Sequence, residues 1–342
     1  MKIIPTPGKL TCGYAGSTTD PVTHSPNVAE YVRLVGRRPA TVSLWCHGAY
    51  DLYNGGEGWE REWVFPLKQC RELTSFSTVP HVVFMPAFTK ADLSPRHTLQ
   101  AILGGACDAH IHMIADDIAA FDRPLLASFG CEINNIGAIN VAGDGWPWVA
   151  DFNGAAGPAL HAEANRYWVD RIRARLRARG APDKVAWLHW TCWNTGGPAW
   201  NDSKHYFPGS DYVAALAVGV YGFWGPYQPT WATFAEHATP AWQELDQIQG
   251  AEGLPRFLEI GCGEDLAQPL KKSQWLTDAM AKAPQLFGLA GVWYWHDRQN
   301  AVPYVGAGAI DSSPQALAAY RSGAQRATYN ASVVLVEAAV PV

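Results

Sequence analysis

Two glutamates, Glu132 and Glu259, stand where apolar runs give way to polar residues. The first follows 125–129 in PLLASFGCEINN (124–135), and the second follows 256–258 in PRFLEIGCGE (255–264). A near-continuous apolar run reads as a strand buried on both faces. A carboxylate at its end therefore sits where the chain leaves the core. Two carboxylates that meet across a cleft can divide acid–base work. One protonates a leaving group and later takes a proton from water, while the other attacks the reacting carbon. That pair is the minimum apparatus for cutting a glycosidic bond. The competing reading is a structural ion pair, for which the ends of two buried runs are poor places.

The elements must bring the two together. They lie 127 residues apart, about three strand–helix units at roughly 30–40 residues each. Eight strand-like runs are countable: 10–15, 41–47, 81–88, 124–131, 184–192, 214–221, 255–260 and 289–295. The glutamates fall on the fourth and seventh. Between the runs lie helical signals. Ser25-Pro26, Ser94-Pro95 and Ser313-Pro314 each offer an N-cap before a proline. Ile111, Ile114, Ala115 and Ile118 repeat at helical spacing. Leu160, Ala164, Trp168, Ile172 and Leu176 recur every four residues, with Arg166, Arg171, Arg173, Arg175, Arg177 and Arg179 on the wet face. The stretch 193–213 shows no helical period and reads as a long loop over the mouth. Alternating strands and helices argue for a parallel sheet, and eight of them for closure into a single-domain α/β fold, a (β/α)8 TIM barrel. An open doubly wound sheet is the rival. It calls for a glycine-rich phosphate turn, of which CGYAGST (12–18) is a poor version. Residues 1–322 are assigned to the barrel and 323–342 to a tail with one extra strand-like run, 332–337.

Composition narrows the partners. Of 342 residues, 48% are apolar and 17% charged, ordinary for a globular chain. The net charge of −5 and the lack of a basic stripe speak against nucleic acid. No apolar stretch reaches ~18 residues, so no membrane span is expected. Seven cysteines, widely spaced and without a CxxC pair, indicate neither a disulfide framework nor zinc. With no leader visible in the first ten residues, the chain reads as cytoplasmic. His110 and His112 form an HxH on a predicted helix, about 200° apart around its axis, so they cannot share a metal ion. No cofactor is expected.

Sixteen tryptophans are a heavy load. Several fall at run ends or in the following loops: Trp45, Trp146, Trp148, Trp190, Trp193, Trp224, Trp293 and Trp295. A flat ring with a polar handle suits the apolar face and polar edges of a sugar, whereas Trp168, Trp187, Trp242 and Trp275 read as core packing.

In this order the motifs resemble glycoside hydrolase family 26, whose members are mainly β-mannanases of the retaining (β/α)8 clan. CEINN (131–135), followed by GWPW (145–148), is similar to the family's His-Glu-Met-Asn-Gly acid/base motif. YFPGSDYVAALAVGVYG (206–222) resembles its sixth-strand stretch, LEIG (258–261) its nucleophile motif, and VWYWHD (292–297) its eighth-strand tryptophan. The resemblance implies acid/base Glu132, nucleophile Glu259 and Tyr221 orienting the nucleophile. It further implies sugar contacts from Cys131, Asn134, Trp146, Trp148, Trp193, Trp224, Trp293 and Trp295, with His47 as a further polar group. The chain departs from the pattern at Cys131, where the family has histidine, and at Asn135, where it has glycine. The expected activity is retaining, endo-type cleavage of a β-linked polysaccharide, mannan-like or a variant. A barrel that binds carbohydrate without cleaving it, as a glycan receptor or structural component, is the alternative. The partner in both readings is a polysaccharide or oligosaccharide.

Overall fold

The computed structural model describes residues 1–16, 26–47, 64–85, 95–135, 154–193, 197–224, 230–296 and 308–337. A short strand, β1 (Lys2–Ile4), precedes eight parallel ones: β2 (Thr11–Gly16), β3 (Thr41–His47), β4 (Val79–Met85), β5 (Leu125–Phe129), β6 (Val185–Cys192), β7 (Ala215–Tyr221), β8 (Arg256–Gly261) and β9 (Leu289–His296). These eight pair in chain order and close, β9 running beside β2 from Thr11↔Gly291 to Gly16↔His296. The fold is the expected (β/α)8 barrel. Around it lie α1 (Val28–Val35), α2 (Leu67–Ser75), α3 (Leu99–Leu103), α4 (Asp108–Phe121), α5 (Gly157–Ala178), α6 (Phe234–Asp246), α7 (Lys271–Lys282) and α8 (Pro314–Ala324). None of these helices is long and apolar enough to cross a membrane.

The unbroken apolar runs have a direct cause. Successive strand side chains point to opposite faces, and both faces are covered. Leu44, Phe84, Leu125, Leu258 and Tyr294 face outward and pack with Tyr31, Ile114, Trp168 and Leu276 from the helices. Val83, Leu126, Leu188, Trp190, Ala217, Phe257 and Trp293 form a separate cluster inside the barrel. The interior also carries a polar bridge. His81 joins Ser43 at 3.0 Å and Ser128 at 2.8 Å, tying β3, β4 and β5 together.

Helix starts follow local chemistry. Ser313 accepts the Ala316 N–H at 3.2 Å ahead of Pro314, as its spacing predicts. Pro95 instead opens a single 3₁₀ turn, and Thr98 caps α3. The first helix begins at Val28, two residues beyond Pro26. Ser25 and Ser94 lie outside the described residues.

The β6–β7 connection corrects one expectation. Parallel neighbours require the chain to return to the far end of the barrel, so this segment cannot stay over the mouth. It descends through two 3₁₀ turns, Ala199–Asn201 and Ser203–Tyr206, taking the position of a helix between α5 and α6. Ser203 is buried and its hydroxyl donates to Glu244 of α6 at 2.7 Å.

The tail returns to the start of the chain. β10 (Val334–Val336) pairs antiparallel with β1 in the register Ile3↔Leu335. Ile3 packs with the interior cluster and plugs the barrel below the strands' N-terminal ends.

Candidate active site

Glu132 is delivered by a strained turn. β5 ends at Phe129, Gly130 takes φ 83°, and its N–H donates to Phe84 O at 2.8 Å. Glu132 itself has φ 44°, a left-handed backbone that a residue with a β-carbon adopts at a cost of about 1–2 kcal/mol. The strain is held from both sides. The Asn134 amide accepts the Cys192 N–H at 2.7 Å and donates to Cys192 O at 2.8 Å. Asn201 returns a bond from its side chain to Asn134 O at 2.7 Å, and Tyr206 fixes Asn201 at 2.7 Å. Asn134 is therefore a buried clamp between the Glu132 turn, β6 and the descending connection. Its amide is committed to backbone groups of Cys192 and Asn201, which gives it a supporting role in the turn.

Glu259 arrives differently. It lies inside β8, in register with Gly219 of β7 and Trp293 of β9, and its side chain is fully buried. Tyr221 donates its hydroxyl to Glu259 Oε2 at 2.7 Å. The other oxygen, Oε1, has no hydrogen-bond partner among the described residues.

The two carboxylates meet at Gly219. A β-carbon placed there would lie 2.6 Å from Glu132 Oε1 and 3.5 Å from Glu259 Oε2, so those oxygens are within about 6 Å of each other. Burial pushes the Glu259 carboxyl well above the usual range, the Glu132 charge adds to this, and the Tyr221 hydroxyl opposes it. Burial and the two glutamates push the Tyr221 phenol up as well, which keeps it a donor. Two carboxylates this close resist ionising together, which adds to the burial that holds Glu259 up.

The aromatic residues separate into two layers. Trp293 is buried inside the barrel, stacked between Phe257 at 4.8 Å and His81 at 4.9 Å. Level with Glu259 along the strands, its ring fills the barrel interior between those two side chains. Trp295, two residues on and partly exposed, meets Trp45 edge-on at 5.6 Å. Trp224 packs edge-on against Tyr221 at 5.2 Å, and Trp193 lies 5.2 Å from His237. All four keep part of their surface open at the strands' C-terminal ends. Cys131 turns into the interior, its thiol 3.9 Å from Met85 Sδ. Burial, with Glu132 and Glu259 nearby, pushes that thiol well above its ordinary range, so it stays neutral. Trp146, Trp148 and the side chain of His47 lie outside the described residues.

Two residues escaped the sequence reading. Gly219 interrupts the apolar run ALAVGVY, and a glycine inside a strand marks close approach by another group. Asn135 gave no signal beyond its departure from the resembled motif; its amide donates to Glu132 Oε2 at 3.0 Å. The HxH pair lies on α4 as expected. Among the described residues, no group of three or more His, Cys, Asp or Glu could hold a metal ion, and the seven cysteines are unbonded.

No family model matches the chain. It is 27% identical over 229 residues to Endoglucanase H of Acetivibrio thermocellus, a match that takes in 64% of this chain and 22% of that protein. The chain thus spans under a quarter of the curated relative it matches. Among solved structures it superposes on GH26C from a Muricauda species with a TM-score of 0.60, at 14% identity, over 94% of this chain and 86% of the other. The mannanase BCman of Bacillus subtilis gives 0.56 at 14% identity, over 95% and 86% of the two chains. A β-mannanase from a symbiotic protist of the termite Reticulitermes speratus, complexed with gluco-manno-oligosaccharide, gives 0.54 at 14% identity, over 94% and 88%. In fold, and over nearly its whole length, the chain resembles the GH26 barrels to which its sequence motifs pointed.

Proposed function

We propose that the protein is a retaining glycoside hydrolase that cleaves a β-linked polysaccharide internally. The observation that carries this is the meeting of Glu132 and Glu259 at Gly219. Facing oxygens no more than about 6 Å apart are compatible with the roughly 5–5.5 Å separation of carboxyl groups in retaining enzymes, which supports that reading. The fold likeness to GH26 mannanases and the partial match to an endoglucanase support the same class.

In this reading Glu259 attacks the anomeric carbon while Glu132 protonates the departing oxygen. Protonation of Glu132 removes the charge that holds Glu259 up, so the proton on one carboxyl helps ionise the other. Tyr221 holds Glu259 Oε2 and so fixes the carboxylate plane. Glu132, left ionised by the first step, then takes a proton from the water that releases the sugar. Trp295, Trp45, Trp224 and Trp193 supply flat surfaces on which sugar rings can lie.

The test is release of new reducing ends from mannan, glucomannan, mixed-linkage β-glucan and β-1,3-xylan, with E259Q as control. Turnover that E259Q abolishes supports the assignment. Saturable binding to a glycan with no turnover on any of them would favour the non-cleaving alternative.

A further inference from the structure

Asn135 stands where the resembled family has glycine, and its side chain is engaged. Its Nδ2 donates to Glu132 Oε2 at 3.0 Å, and its backbone N–H donates to Glu132 O at 2.8 Å. The turn that presents the carboxylate therefore also aims the amide at it. The second oxygen, Oε1, points the other way. It lies 2.6 Å from the place a β-carbon would take at Gly219, on the side of Glu259. The two oxygens of Glu132 have different surroundings.

We propose that Asn135 is a positioning residue that reserves Oε2 of Glu132 as an acceptor, so that the exchangeable proton is carried on Oε1, the oxygen facing Glu259. An amide N–H donates and cannot accept. A proton on Oε2 would take one of its lone pairs and leave a weaker acceptor for that N–H, whereas a proton on Oε1 leaves the bond intact. The same donor favours the ionised carboxylate, the form needed when Glu132 acts as base. Among the described residues, titratable groups near Glu132 on packed elements include Glu259 on β8, Tyr221 on β7 and Cys192 on β6, with Cys131 beside it. Burial pushes the phenol and both thiols up, so they stay neutral, and of these four groups Glu259 is the one that can be charged at neutral pH.

The catalytic part of this inference rests on the assignment of Glu132 as acid/base, so the experiment separates the two. Glutamate carboxyl carbons are labelled with carbon-13 and titrated by NMR in the intact protein, the Glu132 signal being the one missing from E132Q. N135A and N135G remove the donor; N135D keeps the shape but replaces the donor with a like charge. Glu132 should titrate higher by about half a unit or more in N135A and N135G, and higher still in N135D, with the circular dichroism spectrum retained. On any substrate that the wild type cleaves, the basic limb of kcat/KM should move up by the same amount. There, kcat should fall roughly tenfold with KM nearly constant, since the group acts on the proton and not on binding. A Glu132 titration unmoved in both N135A and N135D overturns the inference. A shifted titration in a protein that cleaves no glycan upholds the Asn135 contact and overturns the glycosidase reading instead.

Discussion

Glu132 Oε1 occupies the space beside Gly219 that a methyl group would need, 2.6 Å from the ideal β-carbon position. Gly219 lies in the middle of β7, one residue across from Glu259. Its lack of a side chain lets a carboxylate reach in from the end of β5. In G219A the flexible carboxylate has to swing away, while the strand itself is unchanged. Misplacing a reacting group by about 1 Å costs on the order of a hundredfold in rate. The expected result is a kcat lower by that order with a melting temperature close to wild type. Full activity in G219A would show that Glu132 works from another position.

The two glutamates should fail in different ways. E132A should keep the first step on substrates with good leaving groups, stall at release, and regain turnover with azide, giving a glycosyl azide of retained configuration. E259A should lose all turnover, and any azide rescue should give the inverted product. The product's anomeric configuration, read by proton NMR, decides the roles, and inverted azide from E132A would exchange them.

Tyr221 holds Glu259 down against burial and the Glu132 charge. In Y221F that donor is gone, so Glu259 becomes harder to ionise. The acidic limb of kcat/KM should then move to higher pH. Loss of one hydrogen bond to a charged group costs about 1.5–3 kcal/mol, or roughly 10–150-fold in rate. An acidic limb that stays in place would mean that the bond seen in the free protein is not kept in the reacting complex.

Acid should weaken the fold through three buried histidines. Burial holds His81 and His161 down at about 3 and His189 at about 4, from an ordinary 6.5. Between those values the unfolded chain binds protons that the folded one refuses. Stability is therefore full above pH 6.5 and falls as the pH drops towards 4, by about 1.4 kcal/mol per pH unit for each group. Glu259 and Asp117 are pushed the other way by burial and oppose this, two groups against three. Urea unfolding at pH 7, 6, 5 and 4.5 measures the slope; constant stability across the range would contradict the neutral buried state of these rings.

Much of the architecture is a local property of the chain and was legible in it. Eight apolar runs with helical segments between them specify a closed parallel sheet, because only strands covered on both faces read that way. Glu132 and Glu259 stood out because a carboxylate interrupts such a run at visible cost. Yet the same two-sided burial hides which way each side chain points, since inward and outward residues are equally apolar. Trp293 and Trp295 look interchangeable in VWYWHD, but the pairing of β9 with β8 and β2 puts Trp293 level with Glu259 inside the barrel and leaves Trp295 nearer the mouth. Asn134 reads as a polar residue available to a sugar until the backbone of Cys192 and Asn201, distant in sequence, takes up its amide. Cys131 turns inward because the Glu132 turn sends one residue back into the barrel while presenting the next. What the sequence determined was the number of barrel strands, their order and which two of them carry Glu132 and Glu259. The facing of those acids across Gly219, and the unlike surroundings of the two Glu132 oxygens, depend on register between strands and on one left-handed turn, which only the closed barrel sets.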